Sequence, residues 1–186
     1  IYAFAQTELI APTLSGESLV TYLRSEYSVT SSKSYTAARD AMFEDIDGAN
    51  GTISCVYTGY TISFTNRINA QDQGLNTEHS WPQSFYDQAS PMRTDIHHLY
   101  PTRSDVNSAR SNYDFAEIPD EFTDRWYRNS SNQTTIPTSN IDEYSELDVG
   151  GTNRFEPRED HKGNVARAMF YFWTMYQNHS AITSDA

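Results

Sequence analysis

Residues 76–84 read Asn76-Thr77-Glu78-His79-Ser80-Trp81-Pro82-Gln83-Ser84. Two further segments follow: Asp95-Ile96-His97-His98-Leu99-Tyr100-Pro101-Thr102, then Asp105-Val106-Asn107-Ser108-Ala109-Arg110-Ser111-Asn112-Tyr113. The first places a carboxylate beside an imidazole and is closed by Pro82. In extended backbone, neighbouring side chains point to opposite faces, so Glu78 and His79 would serve two different tasks. Holding a cation and activating a water are two such tasks. The third segment reads as a short helix after Pro101, with Asn107 and Arg110 three apart on one face.

Working outward, helices bracket a centre of short strands and loops. A helical pattern starts at Ser15 and carries Leu19, Tyr22, Leu23 and Glu26 near one face, with Ser15 or Ser18 as its cap. A second helix is expected from Tyr35 to Asp45, stopped at Asp47-Gly48. Strands over 52–58 and 60–65 read as a hairpin turning at Thr58-Gly59. Residues 66–76 are polar and read as a loop, and 129–140, rich in Ser, Thr, Asn and Pro, as a surface loop. From His161 to Asn178, Val165, Ala168, Met169, Phe172, Met175 and Tyr176 recur at steps of three and four, which marks a core helix. The expectation is one α+β domain: an N-terminal segment over 1–14, then the folded domain over 15–180. Ala3-Phe4-Ala5 before Gln6 fits either the end of a signal peptide or an arbitrary boundary.

Composition limits the function classes. The chain has 186 residues, 37% hydrophobic, and its 13 Tyr, 9 Phe and 3 Trp supply much of the buriable area. No apolar run is long enough to span a bilayer. One cysteine excludes an internal disulfide framework and a cysteine-rich zinc site. Cys55 lies in an alternating stretch and is expected to be a packed, inert thiol. A net charge of -12 argues, at first reading, against a polyanionic partner.

The three quoted segments resemble the bacterial endonuclease I family of ββα-metal, or His-Me finger, nucleases. Phe155-Glu156-Pro157 and Lys162-Gly163-Asn164-Val165-Ala166-Arg167-Ala168-Met169-Phe170-Tyr171 are similar to the family's closing helix. The resemblance implies a ββα-metal finger with His79 as general base and Glu78 and Asn107 as metal ligands. It implies one Mg²⁺, with Mn²⁺ or Ca²⁺ able to substitute, and phosphodiester hydrolysis leaving 5′-phosphate ends. Glu and Asn oxygens suit such a hard ion, which keeps most of its waters. An imidazole with an ordinary pKa near 6.5 can accept a proton from water at neutral pH. DNA is the main expected substrate. RNA stays open, because phosphate-directed chemistry need not consult the base or the 2′-hydroxyl. The enzyme is expected to be secreted or periplasmic, monomeric and off the membrane.

Other residues receive lesser roles. Arg110, and less so Arg103, could grip the scissile phosphate bidentately. Arg167 could reach the site or form an internal salt bridge. Asp95 is expected to orient a neighbour. His97 and His98 are expected to have structural or supporting duties, and His161 and His179 to lie on the surface. Two readings from other classes compete: a two-metal phosphoesterase built around Asp95-Ile96-His97-His98, and a secreted binding module using its tyrosines.

The charge then reads differently. The 13 basic residues are 11 Arg and 2 Lys. From His79 to Tyr113, Arg93, Arg103 and Arg110 balance Asp87, Asp95 and Asp105, so the acid excess lies elsewhere. Binding to nucleic acid would be local and use few phosphates. An acidic, lysine-poor exterior suits a saline habitat and a salt-tolerant enzyme.

Overall fold

The computed structural model describes residues 9–48 and 50–182. The Ala3-Phe4-Ala5 segment lies outside them. In chain order the elements are α1 (Gly16–Tyr27), α2 (Tyr35–Asp40), β1 (Thr52–Ser54), β2 (Thr61–Ser63), α3 (Arg67–Asp72), β3 (Leu75–His79), β4 (Leu99–Arg103) and α4 (Ser104–Arg110). Then come β5 (Asp114–Phe115), β6 (Arg125–Arg128), β7 (Ser131–Gln133), β8 (Ser145–Asp148), β9 (Arg154–Glu156) and α5 (Glu159–Tyr176). The architecture is α+β, with mixed short strands and helices in one compact domain.

The quoted segments fold into one unit. β3 pairs antiparallel with β4, placing Glu78 opposite Tyr100 and His79 opposite Leu99, and β4 runs directly into α4. A second pair, β1 and β2, is also antiparallel, with Ile53 opposite Ile62. The expected hairpin is present with shorter strands, and residues 55–60 form its turn. That turn ties the pieces together. Val56 donates to the Pro101 carbonyl at 2.9 Å, the Cys55 thiol accepts from the Arg103 amide at 3.1 Å, and Ser145 Oγ donates to the Tyr57 carbonyl at 2.7 Å. Cys55 is buried, as expected.

The third sheet has the order β5-β9-β8-β6-β7, with β5 parallel to β9 and the rest antiparallel. It continues the core that the β3–β4–α4 unit begins: Tyr57, Leu75, Leu99, Val106, Leu147, Phe155 and Val165 belong to one buried cluster. A second cluster joins Tyr86, Met92, Phe172 and Tyr176. α5 thus buries Val165, Ala168, Phe172 and Tyr176, the stripe its periodicity foretold.

Several local expectations are corrected. Residues 66–76 are not a loop: they hold α3 and the start of β3. Asn66 caps α3 by accepting from Asn69 N at 2.9 Å. Arg67 Nε reaches Asp40 at 2.6 Å, and the Arg67 amide donates to Glu44 at 2.9 Å. These are tertiary contacts, so no apolar period announces the helix. Within 129–140, residues 131–133 form the edge strand β7, exposed but paired with β6. α2 runs into a π-helical turn over Ala41–Ile46 that buries Met42 and Phe43. It stops at Gly48, where an added Cβ would lie 2.3 Å from the Phe43 carbonyl and 2.4 Å from the Phe64 ring. His161 is 3% exposed, not a surface residue: the rings of Tyr57 and Tyr100 pack around it at 5.7 and 4.9 Å.

Candidate active site

Glu78, His79, Asn107 and Arg110 line one cavity of about 410 Å³ beside Thr77, Pro82 and Asn112. The ββα unit brings them there. Strand β3 ends on Glu78-His79 at the cavity wall, and α4 returns across it to present Asn107 and Arg110.

His79 is 4% exposed, and its Nε2 lies 3.1 Å from the Arg93 carbonyl oxygen. A carbonyl only accepts, so Nε2 carries the proton and Nδ1 is left as the basic nitrogen. Burial pushes the His79 pKa down to about 3, helped by His98 and by the guanidiniums of Arg93 and Arg39. The ring is therefore neutral at neutral pH. His98 stands edge-on to it at 5.4 Å and is anchored to the Met92 carbonyl at 2.7 Å.

Glu78 is held from behind. Tyr57 OH donates to its Oε1 at 2.7 Å, and Arg110 Nη1 lies 3.3 Å from the same oxygen, with both side chains of that ion pair 2% exposed. Burial pushes the Glu78 carboxyl above its usual range, opposed by Arg110 and Tyr57, which favour the anion. Asn107 Nδ2 donates to the Thr77 carbonyl at 3.0 Å, which commits the amide nitrogen and leaves Oδ1 as the atom offered to a cation. A carboxylate and an amide oxygen on one water-accessible cavity match the hard-oxygen donor set of Mg²⁺, which needs few protein ligands. The residues fit the ion.

The structure separates the other candidates. Arg110 lines the cavity, but its guanidinium is committed to Glu78, to the Ser80 carbonyl at 2.8 Å and to the Phe115 ring at 4.3 Å. Arg103 lies outside the cavity, on Asp105 and the Asn129 carbonyl. Arg167 is bonded to Asn164 and does not line the cavity either. Asp95 orients neighbours, as expected: its carboxylate takes His97 Nδ1 at 2.7 Å, Tyr171 OH at 2.8 Å and Tyr176 OH. Against the cost of burial, these bonds hold it below the usual carboxylate range. His97 and His98 sit on a 3₁₀ turn over Ile96–His98, one exposed and stacked on Tyr171 at 4.5 Å, the other buried. Asp95, His97 and His98 do not form a ligand set.

Three side chains near His79 were missed. Tyr35 lies 6.0 Å from the imidazole, and the guanidiniums of Arg39 and Arg93 both stand 4.2 Å from its ring centroid. Neither arginine forms an ion pair among the described residues. Tyr35 and Arg39 are four apart on α2, close enough to meet on one helix face. Nothing local signals Arg93, or Tyr57 behind Glu78.

The family model for Endonuclease I matches residues 7–185. The chain belongs to the Endonuclease I family. Among curated relatives, an "Extracellular ribonuclease" of Bacillus subtilis (strain 168) is 32% identical over 167 residues, covering 87% of this chain and 50% of the relative. An "Extracellular ribonuclease" of Bacillus amyloliquefaciens is 31% identical over 171 residues, with 88% and 50% covered. The chain thus spans about half the length of the curated relatives it matches. Among the described residues, no helix of this family member is long and apolar enough to cross a membrane.

Proposed function

We propose that the protein is a secreted, sequence-nonspecific nuclease that hydrolyses phosphodiester bonds of DNA, with RNA as a second substrate. The observation that carries the reading is the meeting of His79, Glu78 and Asn107 on one cavity, with the His79 Nε2 proton committed to the Arg93 carbonyl. The names of the two Bacillus relatives support both the RNA arm and secretion.

Glu78 and Asn107 would hold one Mg²⁺, with Mn²⁺ or Ca²⁺ able to take its place. When bound, the cation supplies positive charge for the crowded phosphoryl oxygens and the departing 3′ oxygen. His79 Nδ1 takes a proton from water, whose oxygen forms the new bond to phosphorus. The bond from phosphorus to the 3′ oxygen breaks, and that oxygen takes a proton from solvent to become a 3′-hydroxyl. The phosphate stays on the 5′ oxygen of the downstream nucleotide. Tyr57 and Arg110 favour the Glu78 anion against its burial and fix it in place. The Arg39–Tyr35–Arg93 stack puts positive charge beside His79 without lining the cavity itself. A two-metal phosphoesterase finds no support in Asp95, His97 and His98, because His97 Nδ1 is spent on Asp95 and His98 Nε2 on the Met92 carbonyl.

The test is plasmid and RNA digestion with Mg²⁺ against EDTA, comparing the parent with His79→Ala. Mg²⁺-dependent cleavage lost in the variant is the expected result. Cleavage retained in His79→Ala would sink the assignment.

A further inference from the structure

Beyond Arg110 the catalytic cavity does not end. Pro82, Arg110 and Asn112 also line a narrow neck of about 60 Å³, whose other wall is formed by Phe115 and Met169. Phe115 and Met169 in turn line a wider trough of about 880 Å³ between β5, β9 and α5. One guanidinium separates the Phe115 ring from the Glu78 carboxylate: Arg110 stands 4.3 Å from the ring centroid and 3.3 Å from Glu78 Oε1. The neck thus shares walls with both the catalytic cavity and the trough, and only Arg110 stands between the trough's Phe115 and Glu78.

The trough's walls indicate what it takes. Val165, Ala166, Met169 and Phe115 make it predominantly apolar, and its volume falls in the range of about 300–1,000 Å³ typical of small-molecule sites. Its two cations are already neutralised. Lys162 Nζ contacts Glu117 at 2.8 Å, Glu156 at 2.6 Å and also Glu159, and Arg154 is paired with Asp148 at 2.8 Å. Asp114 adds an exposed acid at the rim. A phosphate would meet apolar surface and negative charge there. A flat, uncharged, aromatic group would meet the contacts it needs, and a nucleic-acid strand carries one such group about one nucleotide from every phosphate.

We propose that this trough receives the unstacked nucleobase next to the scissile phosphate, with Phe115 and Met169 as its apolar contacts. The inference rests on the nuclease reading and deepens it by naming single strands, whose bases are free to leave the stack, as the substrates that use the trough. A duplex keeps its bases stacked and paired, and freeing one costs a few kcal/mol. Contacts of this kind tolerate any base, which agrees with sequence-nonspecific cleavage.

The test uses short labelled oligodeoxynucleotides with one cleavable linkage, either intact or with an abasic sugar on one side of that linkage. Ala166→Trp fills the trough from an exposed position on α5 that touches none of the catalytic residues. The parent is expected to cut one of the two abasic substrates at least about tenfold less efficiently in kcat/KM than the intact strand, the effect of losing one stacked base. In Ala166→Trp the intact strand should fall to that abasic rate, with cleavage of duplex plasmid unchanged. Met169→Ala should give a smaller loss in the same direction. Equal rates on intact and abasic strands by a parent that does cut would overturn the trough and leave the nuclease standing. If no oligonucleotide and no plasmid is cut with Mg²⁺, the nuclease reading falls and takes this one with it.

Discussion

His79 Nε2 and the Arg93 carbonyl oxygen lie 3.1 Å apart, across a gap of fourteen positions in the chain. This bond fixes the imidazole tautomer, because a carbonyl oxygen can only accept. A general base placed this way contributes about 10²–10⁴-fold to rate. His79→Ala should lose at least that factor in kcat, and imidazole added to the buffer should restore part of it by entering the vacated space. Steady-state rates with and without imidazole check this. The loss should not trace to unfolding, so the variant's far-UV circular dichroism should match the parent's.

Tyr57 reaches Glu78 from the turn between β1 and β2, and its hydroxyl is the neutral donor on that carboxylate. Tyr57→Phe keeps the ring, which packs on Phe155 at 4.8 Å, and removes only the donor. Partners behind a metal ligand commonly matter about 10–100-fold for metal affinity. The Mg²⁺ midpoint for activity should therefore rise about tenfold or more, while kcat at saturating Mg²⁺ changes little. A magnesium titration of initial rates separates the two effects. An unmoved midpoint would count against Glu78 as a ligand.

Arg110 and Glu78 form a buried ion pair, and breaking such a pair from one side commonly costs about 3–5 kcal/mol. Arg110→Met fills the space and leaves Glu78 unpaired, so its melting temperature should fall by many degrees. Adding Glu78→Gln should recover part of that loss, because the stranded charge is gone. A role confined to gripping phosphate makes the opposite forecast: parent-like melting with activity lost. Thermal melts of the single and double variants decide between them.

The convergence of the candidate site was legible where local order and tertiary order agree. Glu78-His79 at a strand end and Asn107 on the following helix need only the ββα connection to converge. Tyr57, Tyr35, Arg39 and Arg93 were not legible as site residues, because each arrives from another element and no spacing relates it to His79. α3 was misread as a loop for a similar reason. Its Arg67 is stabilised by Asp40 and Glu44, which lie far back in the sequence. His161 looked like a surface residue because its burial comes from the Tyr57 and Tyr100 rings, which its own helix does not carry.

Glu146 and Glu156 face each other across β8 and β9, two acids in directly opposed register. Burial, and then repulsion from Glu156 and Asp120, pushes the Glu146 pKa up to about 7, against the hydrogen bond from Thr123 and the charge of Lys162. Between the ordinary carboxyl range and about 7, the folded protein holds a proton that the unfolded chain has released. The folded state then binds more protons, so stability falls as pH rises through that window. Glu146→Gln keeps an oxygen acceptor for Thr123 and removes the titration. The variant should melt above the parent at pH 8, with the gap closing towards pH 4.5. Melting curves across that range check the sign.

The net charge of -12 makes its own forecast. Outside the candidate site the structure pairs many of the bases with acids: Arg103 with Asp105, Arg128 with Glu143, Arg154 with Asp148, Arg158 with Asp160, and Lys162 with three glutamates. Few cations are then free to grip phosphates, so few counterions are released on binding and the inhibitory effect of salt is shallow. Repulsion between the acidic surface and a polyanionic strand is long-ranged at low salt and fades as the Debye length drops to about 8 Å and below. With a weak cost and a larger gain, the rate of plasmid cleavage should rise from low NaCl to an optimum well above about 0.15 M before declining. Initial rates across an NaCl series at saturating Mg²⁺ measure it. A steady fall from the lowest salt would mean that unpaired cations dominate binding after all, and Arg39 and Arg93 beside His79 would be the first to neutralise.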